Sequence, residues 1–332
     1  MTQKNKSRNS QPDHVIAHPA KAALHPRNKH QGRYDFEKLI QLSPDLTRFV
    51  FFNQYQVETV DFTRPEAVKA LNKALLKSFY GINDWDIPAN YLCPPVPGRA
   101  DYIHYIADLL GQNAQIPTGK SIRILDIGVG ANCIYPLIGH CEYGWSFLGS
   151  DIDKVALASA SRIILANEHL ADALEVRWQP SASNIFKGLI KPDELFDATL
   201  CNPPFHTSIA EASSGTQRKW KNLDKNQTAT QKSTLNFGGL ASEISYPGGE
   251  AAYIKLMIEE SVHYKTQCLW FTTLVSKESS LGGIYRALQS AKVADSKTMD
   301  MTQGQKKSRL VAWTFKDHSQ QTDWRNKRFN QK

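Results

Sequence analysis

From Ile122 to Phe315, short apolar runs alternate with longer amphipathic stretches, and this alternation constrains the fold of the 332-residue chain more than any other feature. Strands separated by helix-length segments run parallel through crossovers, and a parallel sheet must be covered on both faces. Ile122-Arg123-Ile124-Leu125-Asp126 is the first expected strand, Trp145 to Ser150 the second, Leu174 to Gln179 the third and Phe196 to Cys201 the fourth. Asp153 caps a helix through Asn167, Glu250 to Tyr264 is a long amphipathic helix, and Cys268 to Thr273 is the fifth strand. A helix over Ser279 to Ala291 precedes an antiparallel pair, Lys297 to Met301 with Leu310 to Phe315. The predicted class is α/β, a Rossmann-like seven-stranded mostly parallel sheet.

The texture ahead of the sheet is different. Residues 1–33 carry Lys4, Lys6, Arg8, Lys21, Arg27, Lys29 and Arg33 against Asp13 alone, so most of the chain's formal charge of +8 sits there. This stretch is expected to be a basic, largely disordered arm, and such arms neutralise phosphates of a polyanion or simply solubilise a terminus. Residues 34–110 are expected to form a helical module. Val68, Leu71, Leu75 and Phe79 mark one helix face between Pro65 and Gly81, and Arg99 to Leu110 forms a second helix. Residues 111–316 hold the sheet, and 317–332 form a basic tail containing Arg325, Lys327, Arg328 and Lys332. Another basic group, Lys306, Lys307 and Arg309, lies between the closing strands.

Five cysteines without a Cys-x-x-Cys pair fit reduced thiols, and ten histidines without ligand spacing give no reason to expect a metal. No apolar run approaches the ~20 residues of a membrane helix. A cytoplasmic protein is expected from these features, and a monomer is the expected state although nothing in the sequence fixes it.

Two motifs carry chemistry. Asp126-Ile127-Gly128-Val129-Gly130 ends the first strand, where open α/β sheets bind ligands, and its glycines permit a tight turn against one. A dinucleotide fingerprint would continue with Gly or Ala at 133, but Cys133 stands there. Asp151 ends the second strand at the spacing where a carboxylate accepts ribose hydroxyls, although a helix cap is the alternative. Ser183 and Asn184, past the third strand, are candidates for an adenine edge. After the fourth strand comes Asn202-Pro203-Pro204-Phe205. Two prolines fix φ and remove donors, leaving the Asn202 side-chain oxygen and backbone carbonyls as acceptors beside the Phe205 ring. This arrangement can grip a planar amino group, and it can also be an ordinary turn. The polar stretch from His206 to Tyr246 begins at the motif and is expected to be a loop over the site.

Asp-x-Gly-x-Gly resembles the first motif of the Rossmann-like, class I S-adenosylmethionine-dependent methyltransferases. Leu24-His25-Pro26-Arg27-Asn28, the stretch Asn83 to Asp86, Pro97-Gly98-Arg99-Ala100-Asp101-Tyr102 and Asn202-Pro203-Pro204-Phe205 together resemble the ribosomal RNA large subunit methyltransferase F family. Bacterial members of that family place N6-methyladenine in 23S ribosomal RNA. The resemblance implies S-adenosylmethionine as cofactor, met by Arg99, Gly128 and Asp151 with Asn202 between it and the target base, and Asp126, Gly130, Ser183 and Asn184 complete the expected cofactor-binding set. It implies Asn202, Pro203 and Phe205 as the catalytic group. The partner would be 23S ribosomal RNA, naked or in a large-subunit assembly intermediate, met by Lys21, Arg27, Lys29, Arg33, Lys306, Lys307 and Arg309. A protein glutamine-N5 methyltransferase, a DNA adenine methyltransferase and a catalytically inactive RNA-binding module are the alternatives. His206 is not read as a general base, because an adenine amino group needs none before transfer.

Overall fold

The structure, a computed structural model, describes residues 24–111, 115–207, 243, 245–303 and 306–329. Helix α1 (Phe36–Leu42) begins where the Asp35 carboxylate accepts from the Lys38 N–H at 3.0 Å. A short antiparallel hairpin follows, β1 (Val50–Phe52) with β2 (Glu58–Val60). Helix α2 (Pro65–Tyr80) starts on a proline and stops at Gly81, whose φ of 68° reverses the chain so that buried Ile82 donates back to the Leu76 carbonyl. Helix α3 (Val96–Leu110) is buried along most of its length.

Then come β3 (Arg123–Ile127), α4 (Ile134–Tyr143), β4 (Ser146–Asp151), α5 (Lys154–Leu165), β5 (Leu174–Trp178) and β6 (Phe196–Cys201). After them lie α6 (Gly249–Ser261), β7 (Cys268–Val275), α7 (Leu281–Ala291), β8 (Asp295–Gln303), β9 (Lys306–Thr314) and α8 (His318–Arg328). The sheet order is β5-β4-β3-β6-β7-β9-β8, parallel from β5 to β7 and antiparallel at β7–β9 and β9–β8. Successive strand residues point to opposite faces. Ile124, Phe147 and Trp270 accordingly join the core under α2, α3, α4 and α5, whereas Leu125, Leu148 and Phe271 join the core under α6 and α7. The seven-stranded α/β class expected from the alternation is the class observed.

Several expectations change. The N-terminal module is not purely helical, because three-residue strands are too short to leave a periodic signal. Helix α4 is buried nearly all round, so no amphipathic stripe announces it. Residues 24–33 are not part of a free arm: His25, Asn28 and His30 are buried, the His25 N–H donates to Asp101 at 3.0 Å, and Asn28 Nδ2 donates to the Pro97 carbonyl at 2.9 Å. Residues 1–23, including Lys21, lie outside the described residues. The basic tail folds too. Trp324 and Arg328 of α8 donate to the fully buried Asp197 carboxylate of β6, at 2.7 Å each. Among the described residues no helix is long and apolar enough to cross a membrane.

Candidate active site

The strand order runs outward in opposite directions from β3 and β6, so a crevice opens at their carboxyl ends, where Ile127 sits opposite Cys201. The turn after β3 fills one side of it. Gly128 has a φ of 74° and faces open space, a conformation that a residue with a Cβ adopts at a cost. The Gly128 and Val129 N–H groups both donate to the Ser150 carbonyl at 2.9 Å, and the Gly130 N–H donates to the Asp151 carboxylate at 3.0 Å. The other Asp151 oxygen accepts from the Asp153 N–H at 3.0 Å. Burial raises the Asp151 pKa, and these backbone donors oppose that rise.

A cavity of about 430 Å³ occupies the crevice, and Arg99, Gly128, Gly130, Asp151, Ser183, Asn184 and Asn202 all line it. Arg99 comes from the first turns of α3, its guanidinium 5.7 Å from the Tyr135 ring centre and in no ion pair with a described acid. Ser183 and Asn184 are held from behind: the Ile185 and Phe186 N–H groups donate to Glu260 of α6 at 2.6 and 2.5 Å. Asn202 is fixed through its neighbour. The Cys201 N–H donates to the Tyr102 hydroxyl at 3.2 Å, and that hydroxyl also meets Thr272 Oγ1 at 2.8 Å. The Asn202 Oδ1 is buried and has no hydrogen-bond partner among the described residues. Pro203 is buried, Pro204 lines the cavity, and Phe205 is half-buried. His206 pairs with Ser245, so the two ends of the long polar segment meet at the cavity; residues 208–242 lie outside the described residues.

Not every candidate gathers there. Asp126 is fully buried in the sheet and does not line the cavity; neither carboxylate oxygen has a partner among the described residues. Burial first, and then the Asp151 charge, push its pKa well above the carboxylate range. The basic candidates divide. Arg27 donates to Asp108 at 2.7 Å, to the Tyr143 hydroxyl at 3.0 Å and to the His104 carbonyl at 2.9 Å. Lys29 pairs with Glu142 at 3.0 Å, and Arg309, mostly buried, pairs with Glu278 at 2.8 Å. These three residues hold ion pairs within the protein. Arg33 and Lys307 are exposed, and the Lys306 side chain lies outside the described residues.

Sequence reasoning missed the wall formed by Leu92 and Pro94. The Asn132 Nδ2 donates to the Leu92 carbonyl at 3.2 Å, the Leu92 N–H donates to Glu243 at 3.1 Å, and buried Trp85 donates to the Asn132 carbonyl at 2.9 Å. The Asn83 to Asp86 stretch was the available signal, since it anchors this wall.

A family model described as RNA methyltransferase matches residues 18–317. Ribosomal RNA large subunit methyltransferase F of Pseudomonas putida (strain W619) is 55% identical over 94% of this chain and 99% of its own. The chain belongs to the ribosomal RNA large subunit methyltransferase F family. Its counterpart in Pseudomonas aeruginosa (strain LESB58) is also 55% identical, over 92% of each chain. Among solved structures, the catalytic domain of human METTL16 in complex with MAT2A 3′UTR hairpin 1 superposes with a TM-score of 0.73 at 31% identity, covering 89% of this chain and 96% of that one. The N-terminal domain of human METTL16 in complex with SAH superposes at 0.70 with 28% identity, covering 89% and 100%. The methyltransferase is thus an RNA methyltransferase of the S-adenosylmethionine-dependent class. Its cavity suits that donor: Asp151 offers a carboxylate, the open face of Gly128 admits close approach, and Arg99 brings a cation that forms no ion pair with a described acid.

Proposed function

We propose that the methyltransferase methylates the exocyclic N6 amino group of a specific adenine in 23S ribosomal RNA. S-adenosylmethionine supplies the methyl group. Asp151 would accept from its ribose, Arg99 would meet its carboxylate, and Ser183 with Asn184 would meet its adenine edge. The observation that carries the reading is the buried, unpartnered Asn202 Oδ1 on the wall of the same cavity. An unsatisfied buried acceptor costs about 1–3 kcal/mol, and a substrate donor relieves that cost.

The amino lone pair of adenine is delocalised into the ring, so orientation matters more than a base. Asn202 Oδ1 and the Pro203 carbonyl accept the two N6 hydrogens and hold the nitrogen facing the donor, while Phe205 stacks on the ring. Positioning of this kind supplies several kcal/mol of a barrier. The proton leaves to water from the methylated cation. The target base must be unstacked first, at a cost of a few kcal/mol that binding of the surrounding RNA offsets.

Transfer of labelled methyl groups to 23S ribosomal RNA, supplied protein-free and as unmethylated large-subunit assembly intermediates, followed by nucleoside analysis, tests the reading. N6-methyladenine is expected. Label that appears only in a protein glutamine would replace it with the glutamine-N5 reading.

A further inference from the structure

The β1–β2 hairpin holds an unusual share of the protein's exposed aromatic surface. Phe51, Phe52, Tyr55 and the adjacent Phe62 are 47%, 63%, 75% and 52% exposed, whereas in the hairpin strands only Val60 is buried. A two-stranded hairpin is marginal alone, and these rings add nothing to the core that anchors it. Their arrangement is not random. On one side Phe51, Arg48 and Arg64 line a concavity of about 220 Å³, with the Arg48 and Arg64 guanidinium groups 5.7 and 5.3 Å from the Phe49 ring centre. On the other side Phe52, Phe62, Arg33 and Glu58 line one of about 380 Å³.

The charges are mixed, which narrows the partner. Asp45 pairs with Arg48 at 3.4 Å, and Asp61 accepts from the Thr63 N–H and hydroxyl, so both acids have local work. Arg33 and Arg64 form no ion pair with a described acid. Glu58 places a carboxylate beside two rings, where it can accept from an exocyclic amino group. Rings that stack, arginines that meet phosphate and one acceptor match unpaired nucleotides better than a continuous duplex.

We propose that the β1–β2 hairpin is a second RNA-contacting surface, a stacking platform for unpaired nucleotides of the substrate outside the methylation cavity. This rests on the RNA substrate of the proposed function. Phe52 and Phe62 take bases on one side of the hairpin and Phe51 on the other, with Arg33 and Arg64 on the flanking phosphates.

The test uses the full chain and a fluorescent fragment of 23S ribosomal RNA carrying the unmethylated target adenine, with a fully paired duplex of equal length as control. Phe52→Ala with Phe62→Ala is expected to weaken binding of the fragment on the order of tenfold, the scale of lost base–aromatic stacking. Binding of the duplex, turnover at saturating RNA, affinity for S-adenosylhomocysteine and the salt dependence of binding are expected to stay at wild-type values. Phe52→Tyr with Phe62→Tyr should restore affinity, and Phe52→Leu with Phe62→Leu should not. Wild-type affinity in the alanine pair overturns the proposal, and so does wild-type affinity in the leucine pair, which would mark an apolar docking face for protein. If the wild-type chain itself fails to bind or methylate the fragment, the proposed function fails and this inference falls with it.

Discussion

Asn202 presents a buried, idle amide oxygen at the cavity, and of the described lining residues only Tyr135, through its hydroxyl, shares that state. Asn202→Ala removes that acceptor without touching Asp151 or Arg99, so turnover at saturating RNA and cofactor should fall on the order of 10²-fold, while S-adenosylhomocysteine affinity, read by calorimetry, stays within about twofold of wild type. Asp151→Ala should do the reverse. Losing a hydrogen bond to a charged group costs about 1.5–3 kcal/mol, so calorimetry should show S-adenosylhomocysteine binding weakened roughly 10–100-fold. Asp126 gives a pH test. Its folded pKa is raised above the unfolded value of about 3.9, so the neutral acid favours folding below that value and stability is lost as pH rises toward the folded pKa. Asp126→Asn has no such proton to lose. Thermal melts from pH 5 to pH 9 should show the variant gaining on the wild type as pH rises; parallel curves would mean that the carboxyl titrates normally.

Elements explain which parts of this architecture could be read in advance. Strands β3, β4, β6 and β7 are apolar runs bounded by turn residues, legible to within one or two residues at their ends because both sheet faces are covered. The Asp151 and Asn202 positions were legible for the same reason, since ligands meet such sheets at strand ends. Helix α8 was not. Its sequence is polar, and its worth lies in a long-range pairing with Asp197 that local patterning cannot reveal. Likewise, Arg27 and Lys29 counted as basic arm until the fold brought Asp108 and Glu142 beside them. Arg328→Ala leaves a buried carboxylate short of its cation, and denaturant unfolding should show a loss of about 3 kcal/mol. The Tyr102 hydroxyl joins β6 to β7 one residue before Asn202. Tyr102→Phe should cost about 1 kcal/mol of stability in the same assay.

At the scale of the whole molecule, the charge that composition assigns to one polyanion surface is divided between holding the fold and remaining free. Arg33 and Lys307 are exposed, whereas Arg27, Lys29 and Arg309 are engaged in ion pairs. Binding of ribosomal RNA across a salt series separates the two groups. Arg33→Ala and Lys307→Ala should each reduce the salt slope by about one and leave the melting temperature unchanged. Arg27→Ala should lower the melting temperature and leave the slope as it is. Equal slopes throughout would remove Arg33 and Lys307 from the RNA surface.

The measurement closest to the central claim is mass mapping of modified nucleosides in 23S ribosomal RNA from cells lacking the gene, complemented with the wild-type chain or with Asn202→Ala. One N6-methyladenine should be absent without the gene, return with the wild-type chain and stay absent with the variant. An unchanged modification map, or full restoration by Asn202→Ala, would contradict the account.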